Sequence, residues 1–303
     1  MGTSPPRHTA GASATSGAAT QPLTSRRRLR ARSQRLLITL FGDYWDREQP
    51  PLPSAGLVRT LEEFAITPAN ARAALSRLTQ RELLERTKDG RNTSYRLTGH
   101  AWRVLVRGAR RIFADEEGPA WDGSWTLVAF SVPSEDSELR RLLRARLRWL
   151  TFWPLYDGSW VTPHDRGAAA REQLAELGIE DALVVCTTDV DLLPAAKVRL
   201  QATWDLPSLA TDYEHFLTRY RDLDARAGTR GLAPAEALVQ RTTMVDEWRR
   251  MVRDDPDLPS ELLPEPFPRR PARERFLRTY RALEQPARQR FEELTCRDVR
   301  SGE

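Results

Sequence analysis

The sequence contains very few of the residues that build disulfide frameworks and metal sites. Its 303 residues include only two cysteines, Cys186 and Cys296, and four histidines scattered along the chain. Two thiols are too few for a disulfide-stapled fold or a thiolate metal centre, and no two histidines have metal-ligand spacing. The sequence therefore predicts no metal site, and its cysteine content suits a reducing compartment.

Long apolar runs are missing as well. No stretch approaches the roughly 20 apolar residues that span a bilayer, and the N-terminus lacks the basic segment and apolar core of a secretion signal. We therefore expect a cytoplasmic protein with no membrane association. Apolar residues still make up 40% of the chain, with nine tryptophans, which excludes a largely disordered chain and allows about two or three domains.

Patterns that would indicate catalysis are equally scarce. The sequence has no phosphate loop and no GxGxxG fingerprint, so a nucleotide cofactor has no support. Ser131 and Ser159 stand in no nucleophile elbow and have no recognisable base partner. The sequence therefore predicts no catalytic residues and no cofactor, and it favours a protein that is not an enzyme.

Charge is distributed unevenly along the chain. Residues 1–113 carry 20 basic and 8 acidic side chains, a net charge of +12, whereas the rest carries 27 and 34, a net charge of −7. A basic module attached to an acidic remainder is typical of proteins that bind nucleic acid. We therefore expect double-stranded DNA as a partner.

The segment from Ser54 to Thr98 has the pattern of two short helices followed by a β-hairpin. Apolar residues at helical spacing mark both helices. Thr67-Pro68 provides a hydroxyl N-cap and a first-turn proline for the second helix, and Asp89-Gly90 marks the turn of the hairpin. Two helices, a tight turn and a basic hairpin predict a winged helix-turn-helix.

The second helix and the hairpin supply the candidate DNA contacts. The helix buries a stripe of alanines and leucines, so its opposite face is polar, and that face carries no long acidic side chain. The hairpin tip offers donors for phosphate oxygens. The candidate DNA-binding residues are Asn70, Arg72, Ser76, Arg77, Lys88, Arg91, Thr93, Ser94 and Tyr95. The alternative interpretation is a solvated polar face on a generic small α/β unit.

Composition and periodicity divide the chain into four parts and predict the α+β class. Residues 1–32 read as a disordered basic tail, whose arginine run is either solvated or an arm that lies along DNA. The winged helix-turn-helix occupies residues 33–113. In residues 121–203 a β-α-β-α-β order, with one strand over Tyr156 to Thr162, predicts a ferredoxin-like middle domain. Residues 204–303 carry helical apolar stripes and predict an effector or dimerisation domain.

From Arg35 to about Leu283 the sequence resembles the PaaX-type transcriptional repressors, regulators named for phenylacetate degradation. In the N-terminal part the resemblance is carried by LLITLFGDYW, NARAALSRLTQRELL and GRNTSYRLT. The middle part contributes WDGSWTLVAFSVP, ELRRLLRARLRWLTF and LYDGSWVTPHD, and the C-terminal part WDLPSLATDYEHFLTRY and RDDPDLPSELLP. Each run alone is a weak indication of the family, whereas the order and spacing of all the runs together are specific to it.

The resemblance implies a repressor, usually a homodimer, that leaves its operator when an acyl-coenzyme A (acyl-CoA) thioester binds. In the namesake members this small-molecule effector is phenylacetyl-CoA. Aromatic and arginine side chains of the middle and C-terminal domains could hold such a ligand. The candidate effector-binding residues are Arg144, Arg148, Trp149, Trp153, Trp160, Trp248 and Arg249. The alternative interpretation is that the tryptophans belong to the core and the arginines form a solvated face. For self-association, the apolar C-terminal helices are the expected surface.

Two other classes of function remain open. The middle domain of the family resembles small CRISPR-associated nucleases, which place a metal-binding aspartate at the end of the first strand. In this sequence that position is Ser131, and one hydroxyl does not supply the charge that holds Mg²⁺. The other alternative is an architectural DNA binder without an effector, which would bind all duplexes nearly equally.

Overall fold

Three units follow one another in the computed structural model, which describes residues 23–113, 121–229 and 231–296. The first unit combines helices with a three-stranded sheet, the second surrounds a four-stranded sheet, and the third is helical. Helices and antiparallel strands that occupy separate regions confirm the expected α+β class.

Helix α1 (Leu23–Tyr44) is longer than the sequence pattern predicts. Residues 23–32 were expected in the disordered tail, and they are helical instead. Arginine is a good helix former and this run contains neither glycine nor proline, so the helix extends into the basic segment. The rest of the predicted tail, residues 1–22, lies outside the described residues.

The remainder of the first unit is a helix pair and a hairpin with one added strand. Strand β1 (Leu52–Pro53) precedes α2 (Ser54–Glu62) and α3 (Pro68–Gln80), and β2 (Leu84–Asp89), β3 (Asn92–Leu97) and α4 (Gly99–Ile112) follow. The strand order is β1-β3-β2, all antiparallel. The sequence predicts a proline-rich linker at the position of β1, because a strand of two residues leaves no periodic pattern.

The middle unit has one more strand than predicted. Its order is β4 (Trp125–Phe130), α5 (Ser137–Trp149), β5 (Trp153–Tyr156), β6 (Ser159–Thr162), α6 (Gly167–Glu176), β7 (Ala182–Thr187) and α7 (Pro194–Thr203). The antiparallel sheet has the order β5-β6-β4-β7.

The single strand predicted over Tyr156 to Thr162 is wrong, because the chain turns back within it. Gly158 lies in the turn between β5 and β6 with φ +76°, in the left-handed region that favours glycine. A Cβ atom there would also lie 2.9 Å from the carbonyl oxygen of Phe130. Asp-Gly is a common hairpin turn, so this turn had a local signal.

The third unit contains the helices α8 (Leu206–Arg219), α9 (Leu223–Thr229), α10 (Pro234–Asp254), α11 (Arg269–Ala282) and α12 (Glu284–Cys296). Its apolar stripes, expected to support self-association, are internal: Tyr213, Phe216 and Trp248 are each at most 1% exposed. No large apolar side chain is exposed in the described residues 204–229 and 231–296. These stripes are therefore part of the core in the single chain, and self-association through these helices stays a prediction.

Two hydrophobic clusters organise the molecule. The larger one contains buried residues of the first unit and of the third, together with a few from the middle unit. The smaller one lies between the four-stranded sheet and helices α5 and α6. The first and third units therefore share one core. Among the described helices, none is both long and apolar enough to cross a membrane.

Helix α12 lies directly against α2, the first helix of the pair. A Cβ atom on Gly56 would lie 2.8 Å from the Cα atom of Thr295 and 2.9 Å from the carbonyl oxygen of Leu294. The Arg59 guanidinium donates to the same Leu294 carbonyl, with Nη2 at 2.7 Å. The two helices thus approach backbone to backbone, and glycine permits the approach.

Substitution of Gly56 by alanine should therefore destabilise the protein. The added methyl group meets backbone atoms that have no rotamer to change, and overpacking of this kind costs about 1–3 kcal/mol. Gly108→Ala is the matched control, since it lies in α4 and the position its methyl group would take has no described atom within 4 Å. Helix propensity should make that control neutral or up to about 1 kcal/mol more stable. Urea denaturation of both variants tests the contact, and equal stabilities would contradict it.

Candidate nucleic-acid interface

Helix α3 presents a polar face whose opposite side is anchored in the core. The anchor residues Ala71, Ala74, Leu75 and Leu78 are at most 1% exposed. Thr67 caps the helix, because its hydroxyl oxygen accepts a hydrogen bond from the Asn70 amide at 3.4 Å.

The outward face of α3 carries most of the predicted base-reading residues. Asn70, Arg72 and Ser76 are exposed, and Arg77 is half-buried. The helix packs against α1, α2 and β2, so its position is fixed by the first unit. These four side chains are therefore brought to one exposed face, as the periodicity indicated.

The hairpin β2–β3 carries the other predicted contacts, with one exception. Lys88 and Arg91 are exposed near the turn at Gly90, whose φ is +56°. Thr93 and Ser94 are half-buried in β3, the central strand of its sheet. Tyr95 is only 8% exposed and belongs to the core, so its side chain offers little surface for the predicted DNA contact. Alternation along β3 turns its side chain inward.

The cations of this surface are not neutralised by neighbouring carboxylates. None of Arg72, Arg77, Lys88 and Arg91 forms an ion pair with any described residue. By contrast, Arg96 on the outer side of β3 pairs with Glu85 at 2.8 Å. An unpaired exposed guanidinium or ammonium keeps its donors available for an anion such as phosphate. The interface is therefore electropositive on both α3 and the hairpin.

A buried charged cluster ties the first unit to the third. The Nη1 atom of Arg241 in α10 donates to the carboxylate of Asp43 in α1 at 2.8 Å, and these side chains are 1% and 4% exposed. The Tyr280 hydroxyl of α11 donates to the same carboxylate at 2.6 Å. The Arg241 guanidinium lies 3.9 Å from the centre of the Tyr280 ring and 5.2 Å from that of Tyr44. We call these four residues the Asp43 cluster.

Burial determines the ionisation of the Asp43 cluster. It raises the pKa of the Asp43 carboxyl above its ordinary value, and the Arg241 guanidinium acts in the opposite direction. Burial and then the Asp43 carboxylate raise the pKa of Tyr44 to about 12. No sequence signal pointed to this cluster, because 198 residues separate Asp43 from Arg241.

Two predicted effector residues lie in the interface between α10 and the first unit. Trp248 is 1% exposed, its indole N–H donates to the carbonyl of Ile112 at 3.3 Å, and its ring stacks on Phe276 at 4.8 Å. Arg249 donates to the Thr39 hydroxyl at 2.8 Å, and burial lowers the pKa of its guanidinium. Trp248 is therefore a core residue in this structure.

The other predicted effector residues gather on the middle unit. The Arg148 guanidinium lies 5.7 Å from the ring centre of Trp153 and 5.8 Å from that of Trp160. Arg144 pairs with Asp157 at 3.3 Å, and Trp149 is 60% exposed.

These residues do not form a single site with the pair on α10. Within the described ranges, no hydrogen bond, ion pair or ring contact joins Arg148 or its two tryptophans to Trp248 or Arg249. The predicted effector residues thus form two groups.

The end of β4 does not carry a metal-ligand cluster. Ser131 follows the strand, and it lines a shallow pocket of about 390 Å³ together with Asp157 and Asp181. Asp157 is already paired with Arg144. Among the described residues there is no group of three His, Cys, Asp or Glu side chains placed to hold a metal ion.

Sequence comparison assigns the chain to a family through three consecutive domains. Residues 30–101 match the PaaX-like protein family, residues 118–199 the PaaX protein central Cas2-like domain, and residues 204–293 the PaaX-like protein C-terminal domain. The chain therefore belongs to the PaaX-like family, as the sequence motifs indicated.

Two similar proteins illustrate the relationship. The transcriptional repressor PaaX of Escherichia coli strain K12 is 27% identical over 253 residues, which cover 82% of this chain and 79% of that protein. An uncharacterized protein from Mycobacterium tuberculosis has a similar solved structure, with a TM-score of 0.56, 21% identity, and coverage of 87% of this chain and 99% of the other. The second likeness concerns the fold alone.

Removal of the Arg241 side chain should cost more stability than removal of an exposed arginine. In Arg241→Met the Asp43 carboxylate stays buried without its cation, and breaking a buried pair costs about 3–5 kcal/mol. Arg270→Met is the matched control, because Arg270 and Glu274 form an exposed pair with side chains 79% and 59% accessible. That control should lose less than about 1 kcal/mol.

Chemical denaturation of the two variants measures the difference. The double variant Asp43→Asn/Arg241→Met should recover part of the loss, since it no longer buries an unpaired charge. Equal stabilities of Arg241→Met and Arg270→Met would show that the Asp43 cluster does not hold the units together.

Proposed function

We propose that this protein is a DNA-binding transcriptional repressor. The observation that carries the proposal is that α3 and the adjoining hairpin both carry cations without an ion-pair partner among the described residues: Arg72, Lys88 and Arg91 are exposed and Arg77 is half-buried. They belong to a segment of net charge +12. The name of the Escherichia coli relative, transcriptional repressor, supports the same function.

In this proposal α2, α3 and the β2–β3 hairpin act as a winged helix-turn-helix. Helix α3 enters the major groove, where Asn70, Arg72, Ser76 and Arg77 meet base edges. The hairpin acts as the wing, and Lys88, Arg91, Thr93 and Ser94 meet phosphates or an adjacent minor groove. Exposure of the first group on one helix face and of the two cations at the hairpin tip supports this division.

The proposal includes a homodimer on a two-fold related operator. One recognition helix with a wing covers only a few base pairs, which is too little for selectivity across a genome. Two copies related by a two-fold axis would read two half-sites.

We assign the middle unit to the ferredoxin-like class. The order β4-α5-β5-β6-α6-β7 and the antiparallel sheet β5-β6-β4-β7 support this assignment. The Cas2-like description of the matching domain family agrees with it. A nuclease would require a set of acidic metal ligands near Ser131. Asp157 and Asp181 share its pocket, but Asp157 is paired with Arg144, and the described residues hold no group of three possible ligands, so the geometry does not favour that function.

The effector in this proposal is an acyl-CoA thioester of the phenylacetyl-CoA kind. The group Arg148, Trp153 and Trp160, with Arg144 and Trp149 nearby on α5, offers aromatic faces for an acyl group and guanidinium groups for a polyphosphate. Trp248 and Arg249 would act from α10 by supporting the core beside the first unit. Binding of the effector releases the operator.

Variants of Arg72 and Arg91 should separate base reading from phosphate binding. Arg72→Ala should weaken binding to the operator by about 1–3 kcal/mol and leave binding to a scrambled duplex nearly unchanged. Arg91→Ala should weaken binding to both duplexes and lower the salt slope by about one unit. Arg96→Ala is the matched control, because Arg96 is already paired with Glu85.

Fluorescence anisotropy over a range of salt concentrations measures these effects, on an operator found by mapping genomic occupancy. Equal losses on operator and scrambled duplex for Arg72→Ala would contradict base reading by α3. Nearly equal affinity of the wild type for all duplexes would identify an architectural binder instead.

Addition of the effector should lower operator affinity, and operator should lower effector affinity by the same factor. A hundredfold effect corresponds to about 2.7 kcal/mol of coupling. Titration of aryl- and alkyl-acyl-CoA thioesters, with and without operator, measures both directions. Arg148→Ala should weaken ligand binding more than Arg141→Ala, a variant on the same helix whose guanidinium is paired with Glu138 at 2.6 Å. If none of the thioesters changes operator affinity by even about threefold, the effector model fails.

A further inference from the structure

The first half of α1 and the last turns of α10 meet along a row of arginines. Each helix contributes one face, because residues three and four positions apart are neighbours on a helix surface. Arg35 of α1 lies with Nε 3.4 Å from a carboxylate oxygen of Asp246, and Arg249 of α10 donates to the Thr39 hydroxyl at 2.8 Å. We call the arginines on these two faces the arginine strip: Arg32, Arg35, Arg249, Arg250 and Arg253.

The arginine strip is only partly neutralised. In the described part of the chain, two carboxylates pair with it. Asp246 lies 3.4 Å from Arg35 and 4.0 Å from Arg250. Asp254 pairs with Arg253, its neighbour in the sequence, at 3.0 Å, and both side chains are about two-thirds exposed. Exposed pairs of this kind contribute little and are readily exchanged for another anion.

The other two arginines of the strip have no carboxylate partner among the described residues. Arg32 is exposed, and Arg249 is half-buried against α1. Burial lowers the pKa of the Arg249 guanidinium, and the like charges of Arg253 and Arg35 add to this effect, while the Asp246 carboxylate opposes it. Five guanidinium groups thus share two carboxylates, so the strip is a positive surface that an anion would stabilise.

The arginine strip adjoins the end of α3. Arg81, the C-terminal cap of α3, donates through Nη1 to the side-chain oxygen of Gln34 at 3.2 Å. Gln34 immediately precedes Arg35 in α1, and α1 packs against α3. If α3 occupies the major groove, the phosphates that border the groove lie beside the ends of this helix. The strip is therefore placed next to the DNA backbone.

The spacing of the strip suits a row of phosphates better than one phosphate group. Arg249 and Arg253 are four residues apart on α10, which is about 6 Å along the helix axis. Arg32 extends the row along α1, on the same face as Arg35. A DNA strand likewise carries its charges at regular intervals, one per about 3.4 Å of the duplex axis.

We propose that the arginine strip binds the phosphodiester backbone of DNA beside the groove that α3 occupies. The third unit then contacts DNA directly through α10, and each copy of the protein covers more of the duplex than α3 and the hairpin alone. The inference rests on the proposed function and extends its DNA interface to a second unit. Contacts to phosphates carry no sequence information, so the strip adds affinity and not selectivity.

Removal of the exposed arginines of the strip should weaken binding to operator and scrambled duplex by the same factor. Arg32→Ala, Arg250→Ala and Arg253→Ala in the full-length protein should each lower the salt slope by about one unit, and the triple variant by about three. Arg32 is exposed, and the side chains of Arg250 and Arg253 are 49% and 66% exposed, so circular dichroism should show an intact fold. Fluorescence anisotropy over a range of salt concentrations measures the slopes.

Arg281→Ala is the matched control. Arg281 is exposed on α11 and forms no ion pair with any described residue. It follows Tyr280, whose hydroxyl donates to Asp43 near the end of α1 that is farther from the strip. This variant should leave the affinity and the salt slope unchanged.

The length of the duplex separates direct contact from an effect on the position of α3. On a duplex trimmed to the base pairs that α3 and the hairpin cover, the wild type and the triple variant should bind equally, because the phosphates of the strip are gone. A difference that persists on the trimmed duplex would show that these arginines act through the fold, and it would overturn the proposal.

The failure of this proposal and that of the proposed function give different results. An unchanged salt slope for the triple variant, with a lower slope for Arg91→Ala, refutes only the strip. The strip is also refuted if the triple variant binds DNA normally and loses affinity for an acyl-CoA thioester, since its anion is then the polyphosphate of the ligand. A wild-type protein that binds all duplexes equally, with a slope that depends on the strip, refutes only the selective repressor.

Discussion

The ion pair between Asp43 and Arg241 is the contact on which the arrangement of the first and third units depends. Both side chains are withdrawn from water, and such charges are tolerated only when paired and hydrogen-bonded. The Tyr280 hydroxyl and the two aromatic rings complete the set. The pair fixes α1 against α10 and α11 at one position, since sliding either helix by a turn would leave a charge buried alone.

Helix α3 acquires its position from this arrangement, although it makes few contacts of its own with the third unit. It packs on α1, which the Asp43 cluster holds, and on α2, which lies against α12. The ring of Tyr44 also stacks on Phe291 of α12 at 4.9 Å. A displacement of α10 or α12 would therefore shift α1 and α2, and with them the outward face of α3. This is a physical route by which events in the helical unit could alter an interface on the opposite side of the helix pair.

Local chemistry explains which features the sequence could predict. The buried stripe of α3 and the cap at Thr67 depend on residues within one helix, so periodicity was sufficient for both. The inward position of Tyr95 and the turn at Gly158 also had local signals, in strand alternation and in the Asp-Gly dipeptide. The Asp43–Arg241 pair had none, because neither residue differs from an exposed charge until helices 198 residues apart are brought together. The split of the effector residues into two groups likewise depends on tertiary packing.

The close approach of α2 and α12 at Gly56 has a consequence for how the protein can be divided. Family relationships describe three successive domains, and a fragment ending after α4 would correspond to the DNA-binding one. Such a fragment would lack the helix that covers Gly56, and it would expose apolar residues such as Tyr44 that the third unit buries. The domains are units of sequence similarity, whereas the first and third of them share one hydrophobic core. Helix α12 therefore belongs to the packing of the basic N-terminal unit, although it lies in a different sequence domain.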